Sequence, residues 1–172
     1  MLIFVDFEAS SLRKLSYPIE VGWVDETGRG EAHLIQPAPG WDEWDETAEA
    51  VHGISRQQLF EHGEPHDAVC ARVIAAFEGN VACASAPTWD GHWLSMLLRA
   101  AGRPRHLLRL AGSNEVFMDT ARARLGAGSE AAEALVARAK AEIGSQPVTH
   151  RALADARREW ETWMAIRSLP EK

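Results

Sequence analysis

Cysteine is scarce in this chain: Cys70 and Cys83 are the only two among 172 residues. Their separation is not a metal-ligand spacing, and two reduced, buried thiols are the expectation. Long apolar runs are lacking too. None approaches the ~20 residues that cross a bilayer, so no membrane partner is expected. The opening Met-Leu-Ile-Phe-Val meets Asp6 and Glu8 too soon to serve as a secretion signal, which points to a cytoplasmic protein. Basic residues are in deficit, with 18 Lys and Arg against 25 Asp and Glu and a net charge of −7. That excludes a generally cationic nucleic-acid binder. The deficit is uneven: residues 1–86 carry 5 basic and 15 acidic side chains, residues 87–172 carry 13 and 10. The second half can supply a local phosphate track or simply solvated helix faces. Arg99, Arg103, Arg105 and Arg109 form its densest basic segment.

What is present fits one soluble globular domain over residues 1–172. Residues 2–8 are apolar and turn polar at their end, as a buried strand does where it leaves the core. Residues 18–25 read as a second strand, Asp25-Glu26-Thr27-Gly28 as a turn, and 31–36 as the return strand of a hairpin. A loop over 37–46 holds Trp41 and Trp44 among acidic residues. Ser55 is a good N-cap for a helix over 56–61, and 66–78 carries Val69, Val73, Ile74 and Phe77 on one helical stripe. A short strand is expected at 80–84, an amphipathic helix from Asp90 to Ala101 ended by Gly102 and Pro104, a strand at 115–118, and helices over 130–143 and 150–168. This order predicts an α/β sheet with an antiparallel start and parallel additions.

Asp6 and Glu8 stand two apart on a strand, so their carboxylates leave the same face. Two like charges there repel unless a cation lies between them, and a hard divalent ion with oxygen ligands suits the pair. A strand that ends near residue 5, with both carboxylates solvated, is the better explanation of the spacing taken alone. Asp90 at a helix start reads as a cap. His150 and Asp155, at the start of the last helix, read alone as a surface pair.

Taken in order, these segments resemble one family. Val5-Asp6-Phe7-Glu8 is similar to the first motif of the DEDDh 3′–5′ exonucleases, which include polymerase proofreading subunits, RNase T and oligoribonuclease. Trp89-Asp90 with Trp93, Leu94 and Leu97 resembles the second motif. His150 with Asp155 five residues later resembles the third. Ile19-Glu20-Val21-Gly22, Val51-His52-Gly53-Ile54-Ser55 and Met118-Asp119-Thr120 resemble further elements, and the likeness extends over about residues 2–167. Each motif is weak singly; the order and spacing are more specific.

The resemblance implies an RNase H-like fold, a five-stranded mixed sheet flanked by helices. It implies two divalent cations, Mg²⁺ or Mn²⁺, with Asp6 shared by both, Glu8 and Asp155 at the first, and Asp90 at the second. His150 would be the general base, and the product a nucleoside 5′-monophosphate cut from the 3′ end of a single-stranded nucleic acid. It places Ala9, Ser10, Leu12, His52 and Ile54 at the terminal nucleotide, and it admits a homodimer, of which the sequence itself gives no sign. Imidazole, with an intrinsic pKa of ~6.5, suits a base near neutral pH. The chain departs from the family where Ala9-Ser10-Ser11 replaces Thr-Thr-Gly, where Ala86 stands for a common Asn, and where Trp89 stands for Phe. None of these removes a metal ligand. Trp89, Trp93, Trp160 and Trp163 are expected to pack in the core. Trp41 and Trp44 fit either exposed stacking or packing on the sheet edge or a partner subunit. A non-catalytic adaptor on the same fold would tolerate losing a ligand, whereas all four carboxylates and the histidine are present. A glycosidase-type carboxylate pair would leave His150 and Asp155 unexplained.

Overall fold

The structure is a computed structural model that describes residues 1–126, 128–145 and 149–169. Strand β1 (Leu2–Ala9) alternates as a strand buried on both sides must. Ile3, Val5, Phe7 and Ala9 enter one core, while Phe4 enters a second core on the other face. Asp6 and Glu8 share the parity of Phe4, and so emerge on that second face. β2 (Pro18–Asp25) and β3 (Gly30–Gln36) extend the sheet antiparallel from β1. β5 (Val81–Ala84) lies parallel on the other side of β1.

Two further strands of two residues each, β4 (Glu64–Pro65) and β6 (Ala111–Gly112), finish the edges and give the order β4-β3-β2-β1-β5-β6. The expected five-stranded mixed sheet is therefore six-stranded, with the predicted antiparallel start and parallel additions.

Helices cover both faces. Between β3 and β4 lie α1 (Glu46–His52) and α2 (Arg56–His62); Ser55 caps α2 with the expected side-chain bond, here part of a capping box with Gln58. α3 (His66–Phe77) and α4 (Pro87–Ala100) supply Val69, Val73, Phe77, Leu94, Leu97 and Leu98 to the first core. α5 (Ser113–Leu125), α6 (Ser129–Gly144) and α7 (Ala152–Ser168) supply Phe117, Ala139 and Trp163 to the second.

Several sequence expectations change here. Residues 115–118 are helical, inside α5, and the strand lies just before them at Ala111–Gly112. Phe117 and Ala121, four apart, are both fully buried in the second core, a helical stripe that outweighs the β-like look of Val116-Phe117-Met118. α4 opens at Pro87 rather than at Asp90; Ala86 is its N-cap residue, so Asp90 is not a cap. α7 opens at Ala152, two residues beyond His150. Trp93 is buried as expected, but Trp89 is 39% exposed. Trp41 stacks on Tyr17, and Trp44 is half-buried with its indole N–H donated to Glu49. Cys70 and Cys83 are free and buried, as expected.

Candidate active site

The sheet and α7 bring the carboxylates together through a missing side chain. Asp6 pairs with Gly22 across β1 and β2, and Glu8 pairs with Glu20. A Cβ on Gly22 would fall 2.2 Å from the backbone nitrogen of Leu153, so only glycine lets the first turn of α7 lie on the sheet there. That approach sets Asp155 over β1. Carboxylate oxygens of Asp6, Glu8 and Asp155 lie within 4.8 Å of one another. Asp90 comes from the first turn of α4, outside that group of three; it is 2% exposed, and its Oδ2 has no hydrogen-bond partner among the described residues.

The electrostatics are those of acids confined together. Burial, then the charges of Asp90, Glu8, Asp155 and Glu159, push Asp6 well above the usual carboxylate range. Burial and the neighbouring Asp155 and Glu20 push Glu8 up to about 7. Burial pushes Asp90 up to about 7, against the pull of backbone N–H groups at Phe7, Ala86 and Asp90. Asp155 is also raised, chiefly by burial, while His150 and Arg158 act in the opposite direction. Such a set gains most from a bound cation, whose charge favours the ionised form of every one of these acids. Hard oxygen donors and a buried carboxylate oxygen without a partner among the described residues fit a hard divalent ion.

His150 is exposed and lies just before α7, with φ 46 in the left-handed region that non-glycine residues seldom adopt. Its neighbour Arg151 is fixed by a feature that the sequence motifs do not reveal. Glu20, 2% exposed, accepts from Arg151 Nε at 3.0 and 3.2 Å, from Arg151 Nη2, and from the backbone N–H of Ala152 at 2.9 Å. One carboxylate thereby holds the guanidinium and satisfies an orphan N–H at the start of α7. Glu159, one turn beyond Asp155, is a second residue that sequence reasoning missed. It accepts from Ser113 Oγ and acts on the charges of Asp6 and Asp90. Its signal was the four-residue spacing from Asp155 on one helix face. The signal for Glu20 was an acid inside the apolar run Ile19-Glu20-Val21.

A pocket of about 290 Å³ opens beside Glu8, and Phe7, Ala9, Leu12, Val51, His52 and Trp93 are among its walls. Leu12 and Val51 are exposed at its rim. His52 Nδ1 accepts from the Ile54 N–H, which leaves Nε2 as the protonated nitrogen, buried and without a partner among the described residues. Of the other residues expected at a terminal nucleotide, Ile54 is 3% exposed in the first core. Ser10 is fully buried: its hydroxyl donates to Glu43 and accepts from the Tyr17 N–H. Ser11 donates to the other Glu43 oxygen, so Glu43 straps the loop of Trp41 and Trp44 to the end of β1.

No family model matches the chain, and no curated protein sequence matches it. Solved structures do. A product-bound exonuclease I superposes with a TM-score of 0.68 at 16% identity, over 96% of this chain and 43% of that one. A zinc-bound E. coli exonuclease I–single-stranded DNA complex gives 0.66 at 18% identity, over 92% and 38%. E. coli exonuclease I with a dA16 oligonucleotide gives 0.66 at 18%, over 91% and 38%. The chain thus spans about two fifths of the length of these structures, and what it shares with them is the RNase H-like fold.

Proposed function

We propose that this chain is a metal-dependent 3′–5′ exonuclease of the DEDDh type, acting on single-stranded nucleic acid. The observation that carries the reading is the meeting of Asp6, Glu8 and Asp155 within 4.8 Å, with Asp90 coupled to them by charge, on this fold. Asp6, Glu8, Asp155 and Asp90 would hold two divalent cations. Bound there, such ions lower the pKa of water and neutralise charge on the attacking and leaving oxygens of an in-line displacement.

The chain's own residues do the rest. His150 takes a proton from the attacking water as its oxygen bonds to phosphorus. The bond from phosphorus to the 3′ oxygen breaks, and that oxygen leaves as the new 3′ hydroxyl with a proton from solvent. The pocket beside Glu8 would hold the terminal nucleoside, with Ala9 and Leu12 along it and the His52 Nε2–H as a buried donor. A polar donor left unpaired in an apolar wall is costly until a ligand oxygen meets it.

The test is an end-labelled comparison of single-stranded DNA, RNA and dinucleotides with Mg²⁺ and with Mn²⁺. Stepwise shortening from the 3′ end, release of 5′-monophosphates and loss of both with chelator are expected. Binding without cleavage under every condition would replace this reading with that of a non-catalytic adaptor.

A further inference from the structure

The segment that follows Asp90 has a charge pattern unlike the rest of the chain. From Gly91 to Asn114 there is no Asp or Glu, in a protein that has 25 of them, and the same stretch holds Arg99, Arg103, Arg105 and Arg109. The structure folds this stretch into a groove of about 400 Å³ between α4 and the loop that leads to β6. Leu94, Leu108 and Leu110 lie along it and also pack on the first core, which pins the loop. Alternation along the loop leaves Arg109, between the two leucines, exposed, together with Arg105 and His106. Arg105 donates from Nε to His106 Nε2 at 2.8 Å, which orients its guanidinium. Among the described residues, no carboxylate lines the groove. Its α4 wall begins at Gly91, the residue that follows Asp90 in sequence, where an added Cβ would meet nothing within 4 Å.

We propose that this groove is the track for the phosphodiester backbone of a single strand whose 3′ end lies at the acidic site, with Arg105 and Arg109 as its phosphate contacts. The inference rests on the exonuclease reading for the direction of the strand, not for the groove's chemistry. A chain of net charge −7 repels a polyanion as a whole. A lane that is locally positive favours the approach of a strand to Asp6 and Asp90. The acid-free stretch supplies one, and its arginines contact phosphate without reading sequence.

The experiment measures binding in EDTA, so that no strand is cut, over a range of salt concentrations. The probes are labelled dT12, rU12 and the dinucleotide dT2, and the variants are Arg105→Ala/Arg109→Ala, Ser95→Glu and, as a control, Arg122→Ala on α5. Each phosphate contact contributes about 0.7 to the slope of log affinity against log salt for a single strand. The double alanine variant should therefore lose about 1.4 in slope on dT12 and rU12 and keep the wild-type rate of metal-dependent dT2 hydrolysis. Ser95→Glu adds a negative charge to the groove wall without cutting a side chain from the fold, and should weaken dT12 binding too. Equal losses on dT12 and rU12 are expected of a backbone contact; loss on one alone would overturn that assignment. A wild-type slope in the double variant, or no binding of dT12 by the wild type, would overturn the track. Failure of the wild type to hydrolyse dT2 or any longer strand would instead overturn the exonuclease reading.

Discussion

Two carboxylates face each other across β1 and β2, Glu8 and Glu20, and the chain treats them in opposite ways. Glu20 is buried and fully partnered: a guanidinium and a helix N–H surround it. Glu8, one strand away, has acids for neighbours, and its proton affinity is raised to about 7. Asp90 is buried, and one of its oxygens has no partner among the described residues. A protein that needed only stability would pair Glu8 as it pairs Glu20. The contrast teaches that unmet charge in this fold is localised. The paired acid anchors the start of α7, and the unpaired acids are held where a cation can meet them.

The largest effect should come from removing an unpaired acid. Asp6→Asn should take nuclease activity below detection in Mg²⁺ and in Mn²⁺. In chelator the same variant should melt higher than the wild type, because it removes the charge that burial and four neighbouring acids disfavour. A lower melting temperature would show that Asp6 is a stabilising residue like Glu20, and the contrast would fail. Next in size is His150→Ala. Loss of a general base should cost on the order of 10²–10⁴-fold in kcat, with Mn²⁺ affinity, read by calorimetry, unchanged. An unaltered rate would remove His150 from the chemistry.

How much of this was legible beforehand differs by element. Asp6 and Glu8 could be placed on one face because strand period is fixed at two and β1 is apolar around them. Asp155 could be placed on a helix, but not over β1. That placement depends on Gly22, whose need for a bare backbone arises from the approach of Leu153. The Glu20–Arg151 clamp joins residues 131 apart, and no local pattern encodes such a pair. Trp89 shows the limit of helical periodicity: it precedes a buried Asp90 and stacks on a buried Trp93, yet its own position on the first turn leaves it in solvent. The strand expected at 115–118 failed for a similar reason. Val116, Phe117 and Met118 suit either period, and packing of Phe117 on Phe4 decided for the helix.

The paired side of the contrast can be broken at Glu20. Glu20→Ala leaves Arg151 and the Ala152 N–H without their acceptor. Hydrogen bonds to charged groups are worth about 1.5–3 kcal/mol, and because the Arg151 side chain is 48% exposed the cost should fall near the lower figure. Glu20→Gln keeps an acceptor for Ala152 and should recover part of it. Both should lower kcat more than they raise KM, since the clamp sits between β2 and the residue after His150. A fall in stability with kcat intact would limit Glu20 to a structural role.

The smallest effect concerns protons at the unpaired acids. Glu8 and Asp90 have folded-state pKa values of about 7, raised from 4.5 and 3.8. A raised carboxyl pKa means that the folded state holds its proton more tightly than the unfolded state. Its contribution to stability is complete below the unfolded value and is lost as pH rises through the folded value. In chelator, the melting temperature should therefore decline between about pH 4 and pH 7 and then level off. Mn²⁺ above its dissociation constant should flatten or reverse that decline, because the cation binds only the ionised acids. Asp90→Asn should shrink the decline in chelator more than Glu20→Gln does, because Glu20 acts on Glu8 only as one of several neighbouring charges. If Glu20→Gln removed it instead, the proton-linked acid would be the paired one, and the division of labour between the two sides of β1 would be reversed.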